Sequence, residues 1–232
     1  MARGDSWQLR VLGPPTLVHP EGPAVRLDGT ALALVTYLAL EGPTVRSRLA
    51  GLLWPDTVEG AARNNLVHLI RRVNRAAGDA VLVADDRVGL APHVQVDAAA
   101  LVNEGSDGGD GVVTGPLLPG VDFDDRPDLS DWLHAWRERL EHAQMRLLTR
   151  AAAEQEAAGD LAGAVSTTLR LLDLDPVSED AHRRLMRLHY LAGDRPAALR
   201  AYGRCREALF RELGVEPLPE TVVLAREIER GR

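Results

Sequence analysis

A short pattern recurs in the C-terminal half of the chain at an offset of 34 residues, and it restricts what that half can become. Ala158-Gly159-Asp160-Leu161-Ala162-Gly163-Ala164-Val165 returns as Ala192-Gly193-Asp194-Arg195-Pro196-Ala197-Ala198-Leu199. In both copies Gly-Asp separates two stretches of helical apolar spacing, so it reads as a turn between paired helices. Ala164 and Ala198 stand at the same place, small enough for two helices to cross closely. Such pairs cannot bury their apolar faces alone and must stack.

Thirty-four residues is the tetratricopeptide period. From about Leu129 onward the spacing is nearly all helical, with Leu174-Asp175-Pro176 ending the first unit. The predicted architecture there is an α-helical, tetratricopeptide-like repeat domain over residues 98–232.

Residues 1–97 read differently. Apolar residues alternate or cluster at 8–12, 16–18 and 24–27, separated by Gly13-Pro14-Pro15 and Pro20-Glu21-Gly22-Pro23, and predict short strands. Three helical segments follow at about 30–40, 46–53 and 60–77, the last closed by Gly78. Residues 81–84 and 87–90 flank Asp85-Asp86 as a hairpin. A small sheet, three helices and a hairpin make a winged helix-turn-helix. The fold class expected for the whole chain is mainly α with small β.

In the third helix Ala62, Leu66, Leu69, Ile70, Val73 and Ala77 fall on one side. Asn64, His68, Arg71 and Arg75 fall opposite, with Asn65 and Arg72 on the flank. Asn matches the edge of adenine and Arg that of guanine with paired hydrogen bonds in the major groove. A solvated face of any amphipathic helix is the plainer reading, although adjacent asparagines are poor helix formers.

Charge bears on this choice. The chain of 232 residues carries a formal net charge of −7, yet residues 1–96 hold ten Arg against nine acids, and residues 44–75 six against two. All 27 basic residues are arginine, so residue type alone says little about phosphate contact. Position must decide.

These features together resemble the Streptomyces-antibiotic-regulatory-protein type of activator, an OmpR-like winged helix joined to a tetratricopeptide-like bacterial transcriptional activator domain. The N-terminal half carries the resemblance in Leu27-Asp28-Gly29, Leu49-Ala50-Gly51-Leu52-Leu53-Trp54-Pro55-Asp56 and Asn65-Leu66-Val67-His68-Leu69-Ile70-Arg71-Arg72-Val73. The C-terminal half carries it in Leu118-Pro119-Gly120, Trp132-Leu133, Trp136-Arg137-Glu138-Arg139-Leu140 and Glu212-Leu213-Gly214-Val215-Glu216-Pro217. The resemblance implies double-stranded DNA as partner, RNA polymerase contact during activation, and a homodimer. On the same analogy Asn64, His68, Arg71 and Arg75 face the major groove, Arg87 lies on the wing, and Arg46 or Arg48 lies by the DNA backbone. Trp54 is expected to pack. The acidic wing tip and the Gly-Asp stretch after Ala100 depart from the family pattern.

Other classes are disfavoured. The seven histidines show no zinc-ligand spacing, and no lysine is available for a phosphate-cradling Gly-x-x-x-x-Gly-Lys loop. No enzyme, cofactor or metal is expected. His182 and His189 suit surface or interhelical hydrogen bonds, and Cys205 is a small core filler. The glycines between Asn103 and Pro116 read as a linker rather than a calcium loop. One cysteine and the lack of a long apolar run suggest a cytoplasmic, non-membrane protein. The alternative function is a protein-interaction adaptor, its repeats binding a partner and its winged helix no longer binding DNA.

Overall fold

The computed structural model describes residues 6–19, 21–102 and 115–231. The Gly-Asp stretch read as a linker lies outside them, apart from Gly115 and Pro116. Contacts divide the chain into two compact units, Met1–Glu141 and His142–Arg232.

The first unit opens with a three-stranded sheet in the order β2-β1-β6. Strand β1 (Trp7–Arg10) pairs antiparallel with β2 (Thr16–Val18) and parallel with β6 (Val94–Val96), placing Leu9 beside Leu17 and Val96. Asp97 finishes the parallel pairing. Its carboxylate accepts the amides of Val11 and Leu12 at 3.0–3.1 Å, while burial pushes its pKa above the usual carboxylate range. The strand expected at 24–27 is reduced to one bridge, Val25 to Leu17, where both backbone hydrogen bonds form. Pro23 lacks an amide to extend that pairing, and Arg26 and Asp28 are exposed or capping.

Helices α1 (Gly29–Glu41), α2 (Arg46–Leu53) and α3 (Glu59–Ala77) follow. The wing sheet has the order β3-β5-β4, all antiparallel, from β3 (Thr44–Val45), β4 (Leu82–Ala84) and β5 (Arg87–Leu90). The hairpin therefore turns at Asp85-Asp86, as the sequence predicts. After the short α4 (Ala99–Val102), the chain returns to the end of β1, where Leu118 donates to the Val11 carbonyl and Leu12 bridges Leu117.

One side chain braces the turn that follows. Leu118 is buried with φ of 46°, a region costly for a branched residue. Arg137, from α5 (Pro127–Ala157), donates to the carbonyls of Leu117, Leu118 and Val121 at 2.8–3.1 Å. A planar fork with several donors suits three carbonyls on one tight turn.

The second unit begins within α5 and adds α6 (Leu161–Leu174), α7 (Glu179–Leu191), α8 (Arg195–Leu213) and α9 (Pro219–Arg230). The 34-residue repeat appears as two equivalent turns. Gly159 and Gly193 adopt φ of 80° and 79°, and Asp160 and Asp194 cap the next helix by accepting from Gly163 and Ala197 at 2.9 Å. Ala164 and Ala198 are fully buried. Leu185, Met186, Ala198, Ala201, Ala225 and Ile228 form the core of α7, α8 and α9. Helix α9 is also latched to α7, since Glu179 accepts from the Leu218 amide and the Thr221 hydroxyl, and Arg183 donates to Thr221.

Cys205 is fully buried on α8, and burial pushes its thiol up to about 11. His182 is also buried, contrary to a surface or interhelical role, and bonds the Pro176 carbonyl in the loop before its own helix at 3.0 Å. The carbonyl accepts, so the neutral ring carries its proton on Nε2, and the buried Nδ1 has no partner. Burial, reinforced by Arg204, lowers the His182 pKa; the Pro176 bond and the charges of Asp175 and Glu179 oppose this. A depressed histidine adds stability that is complete above its ordinary value near 6.5 and is lost as pH falls through the folded value. Urea midpoints measured between pH 7.5 and 5 should therefore fall, and His182→Gln should flatten that dependence.

Candidate nucleic-acid interface

Helix α3 buries Ala62, Leu66, Leu69, Ile70 and Val73 against its neighbours. With 3.6 residues per turn, that stripe turns Asn64, His68, Arg71 and Arg75 away from the core. All four are exposed, and no hydrogen bond or ion pair engages them among the described residues. Two of the four are guanidiniums on successive turns of an outer face. Arg63, on the same helix, is neutralised by Glu59 at 2.5 Å.

Asn65 and Arg72 face a different environment. Together with Thr30, Trp54, His68 and Leu69 they line a hollow of about 360 Å³ beside the start of α1. Trp54 is half-buried there, closing α2 by donating its amide to Ala50. Arg72 pairs with Asp28 at 2.6 Å through one carboxylate oxygen, while the other caps α1 by accepting from Ala31 at 2.9 Å. Asp28 thus serves two elements at once.

The remaining predicted residues surround α3 and are each tethered. Arg46 donates to the Ala84 carbonyl of the wing at 2.5 Å, and Arg87 donates to the Pro43 carbonyl at 3.2 Å. Arg48 donates through Nε to the Tyr37 hydroxyl at 2.9 Å. All three side chains are nevertheless exposed. Helix α2, which opens with Arg46 and Arg48, begins without a side-chain cap. The wing tip, Asp85 and Asp86, is exposed and anionic.

Two contributors were not visible from sequence spacing. Asn74 donates to and accepts from the Leu82 backbone, both at 2.9 Å, which fixes the first wing strand against α3. Nothing in its type, or in its place between Val73 and Arg75, marks it for that contact. Glu41, at the end of α1, accepts from the indole nitrogens of both Trp132 and Trp136 on one oxygen at 2.7 Å.

Residues 111–229 match the family described as bacterial transcriptional activator domain. The chain belongs to that family. That match supports the resemblance, read from the sequence, to the Streptomyces-antibiotic-regulatory-protein-like activators. Among solved structures it is similar to EmbR of Mycobacterium tuberculosis, determined in complex with a low-affinity phosphopeptide. The TM-score is 0.60 at 19% identity over 97% of this chain, and the chain spans 65% of EmbR. No curated protein matches the chain. Among the described residues, no helix is long and apolar enough to cross a membrane.

The double duty of Asp28 yields an unequal pair of mutations. Its ion pair with Arg72 is more than half exposed on both sides and contributes little, whereas a lost N-cap costs about 1 kcal/mol. Thermal melts should show Asp28→Ala clearly destabilised and Arg72→Ala near the parent, although both remove the same ion pair.

Proposed function

We propose that the protein is a sequence-specific DNA-binding transcription activator that reads the major groove with α3. The observation that carries this reading is the exposed, unengaged set Asn64, His68, Arg71 and Arg75 on the third helix of a winged helix-turn-helix. Two of these side chains have the fork geometry for guanine and one has the amide for adenine. The plan for residues 1–97 is DNA binding, with residues 98–232 as the activating repeats. The compact first unit runs further, to Glu141, because residues 116–118 pair back onto residues 11–13 just after β1 and the start of α5 packs by α1.

Positioning on the backbone falls to Arg46 and Arg48 at the uncapped start of α2, and to Arg87 and Arg72 at the edges. Asn65 sits by the hollow next to the backbone-facing side. Phosphate contacts position a protein and base contacts specify the sequence, so these two sets differ in what they contribute. We assign the helical repeats to homodimerisation or contact with RNA polymerase. Support comes from Phe210, Leu213, Val215, Leu218 and Val223, which are large, apolar and exposed around the end of α8 and the start of α9.

A second reading, the protein-interaction adaptor, draws on the anionic wing tip and on the tethering of Arg46, Arg48, Arg72 and Arg87. Fluorescence anisotropy with the DNA upstream of its own gene, over a salt series, separates the two. Arg71→Ala combined with Arg75→Ala should reduce specific affinity by about 100-fold or more, since each guanine contact discriminates by about 1–3 kcal/mol. Equal and feeble binding by parent and variant at physiological salt would favour the adaptor.

A further inference from the structure

Tyr37 lies inside α1 at 2% exposure, where a phenol's hydroxyl needs a partner. The partner is Arg48, whose Nε donates to it at 2.9 Å. Because Nε makes this bond, the two terminal nitrogens of an exposed guanidinium stay without a protein partner among the described residues. Arg48 is therefore held at its inner edge and open at its outer one. The phenol ring is itself backed by Trp132, with centroids 4.9 Å apart and planes tilted by 40°. Trp132 is fixed in turn by its indole bond to Glu41, shared with Trp136, and the guanidinium of Arg139 lies 4.5 Å over the Trp136 ring.

The chain of contacts thus runs from Trp132 through Tyr37 to Arg48 at the start of α2. Trp132 and Trp136 stand on α5, within the residues that match the activator-domain family, yet both belong to the compact first unit. Arg46, two residues before Arg48, is tied to the Ala84 carbonyl and has no such route to α5.

We infer that the start of α5 sets the DNA affinity of the winged helix by holding Tyr37, which presents Arg48 to a DNA phosphate. Tyr37 is a positioning residue, and Trp132 positions Tyr37. The inference rests on the DNA-binding reading proposed above. An arginine whose approach is preset loses less side-chain freedom on binding than a free one, and that difference is what α5 controls.

The test is a double-mutant cycle on the full chain, binding upstream DNA across a salt series. Arg48→Ala should lower affinity and reduce the log–log salt slope by about 0.9, the signature of one lost phosphate contact. Tyr37→Phe keeps the ring against Trp132 and the positive charge of Arg48. It should weaken binding by about 3- to 10-fold, the scale of one hydrogen bond, without lowering stability by as much as a core deletion. Trp132→Leu should weaken binding similarly. Neither change should cost anything further in the Arg48→Ala background, because both act through that residue. A purely structural role would lower affinity equally in both backgrounds. If the parent binds DNA while Tyr37→Phe is indistinguishable from it, or additive with Arg48→Ala, this inference fails and the DNA-binding reading stands. If the parent does not bind DNA at any salt, both fall together. Should Trp132→Leu fail to fold, the Tyr37→Phe cycle decides alone.

Discussion

Burial of one apolar stripe on α3 sets what the first unit can present. Leu66, Leu69, Ile70 and Val73 are removed from water, and each full burial of such a side chain stabilises by about 1.5–3 kcal/mol. Rotating the helix to expose another face would forfeit several of those contributions at once. The orientation of Asn64, His68, Arg71 and Arg75 is therefore fixed by residues that never meet a ligand. Asn74 then uses both ends of its amide to hold the wing to the same helix. Core packing and wing placement share a single rigid reference.

This dependence explains what was legible from the residues alone. Residue pattern located α1, α2 and α3 to within a residue or two: α1 is a nearly continuous apolar run buried on most sides, α3 has one clear apolar side, and each helix meets a stop signal at Gly42, Trp54 or Gly78. The repeat turns were legible because Gly159 and Gly193 need a left-handed backbone and Asp160 and Asp194 need to cap. Strand β6 was not, since Val94 to Val96 pairs in parallel with a segment far away in sequence, and nothing local marks such a partner. The strand expected at 24–27 failed for the converse reason: local alternation was present, but pairing stopped at Val25.

Within the candidate site, type and spacing found the outer face of α3 but not the state of each arginine. Arg71 and Arg75 are open, while Arg46 and Arg87 lean on backbone carbonyls and Arg72 on a carboxylate. A sequence made basic only with arginine gives no hint of that division. Structure also shows why arginine suits position 48. A lysine ammonium could satisfy the Tyr37 hydroxyl, yet it would offer the same compact nitrogen to anything outside, whereas the guanidinium divides its donors between two directions. The buried His182 was misplaced for a related reason, since its partner is a carbonyl supplied by the loop before the helix and not by another helix.

Cys205 gives the second unit a property that none of its helices has alone. With no exposed surface and a thiol raised to about 11, it remains protonated at neutral pH and poorly nucleophilic. Alkylating reagents attack the thiolate, so modification must wait until α8 parts from its neighbours. As the only cysteine in the chain, it makes the unaltered protein its own stopwatch, in which the rate of thiol capture counts the excursions that open the repeat stack.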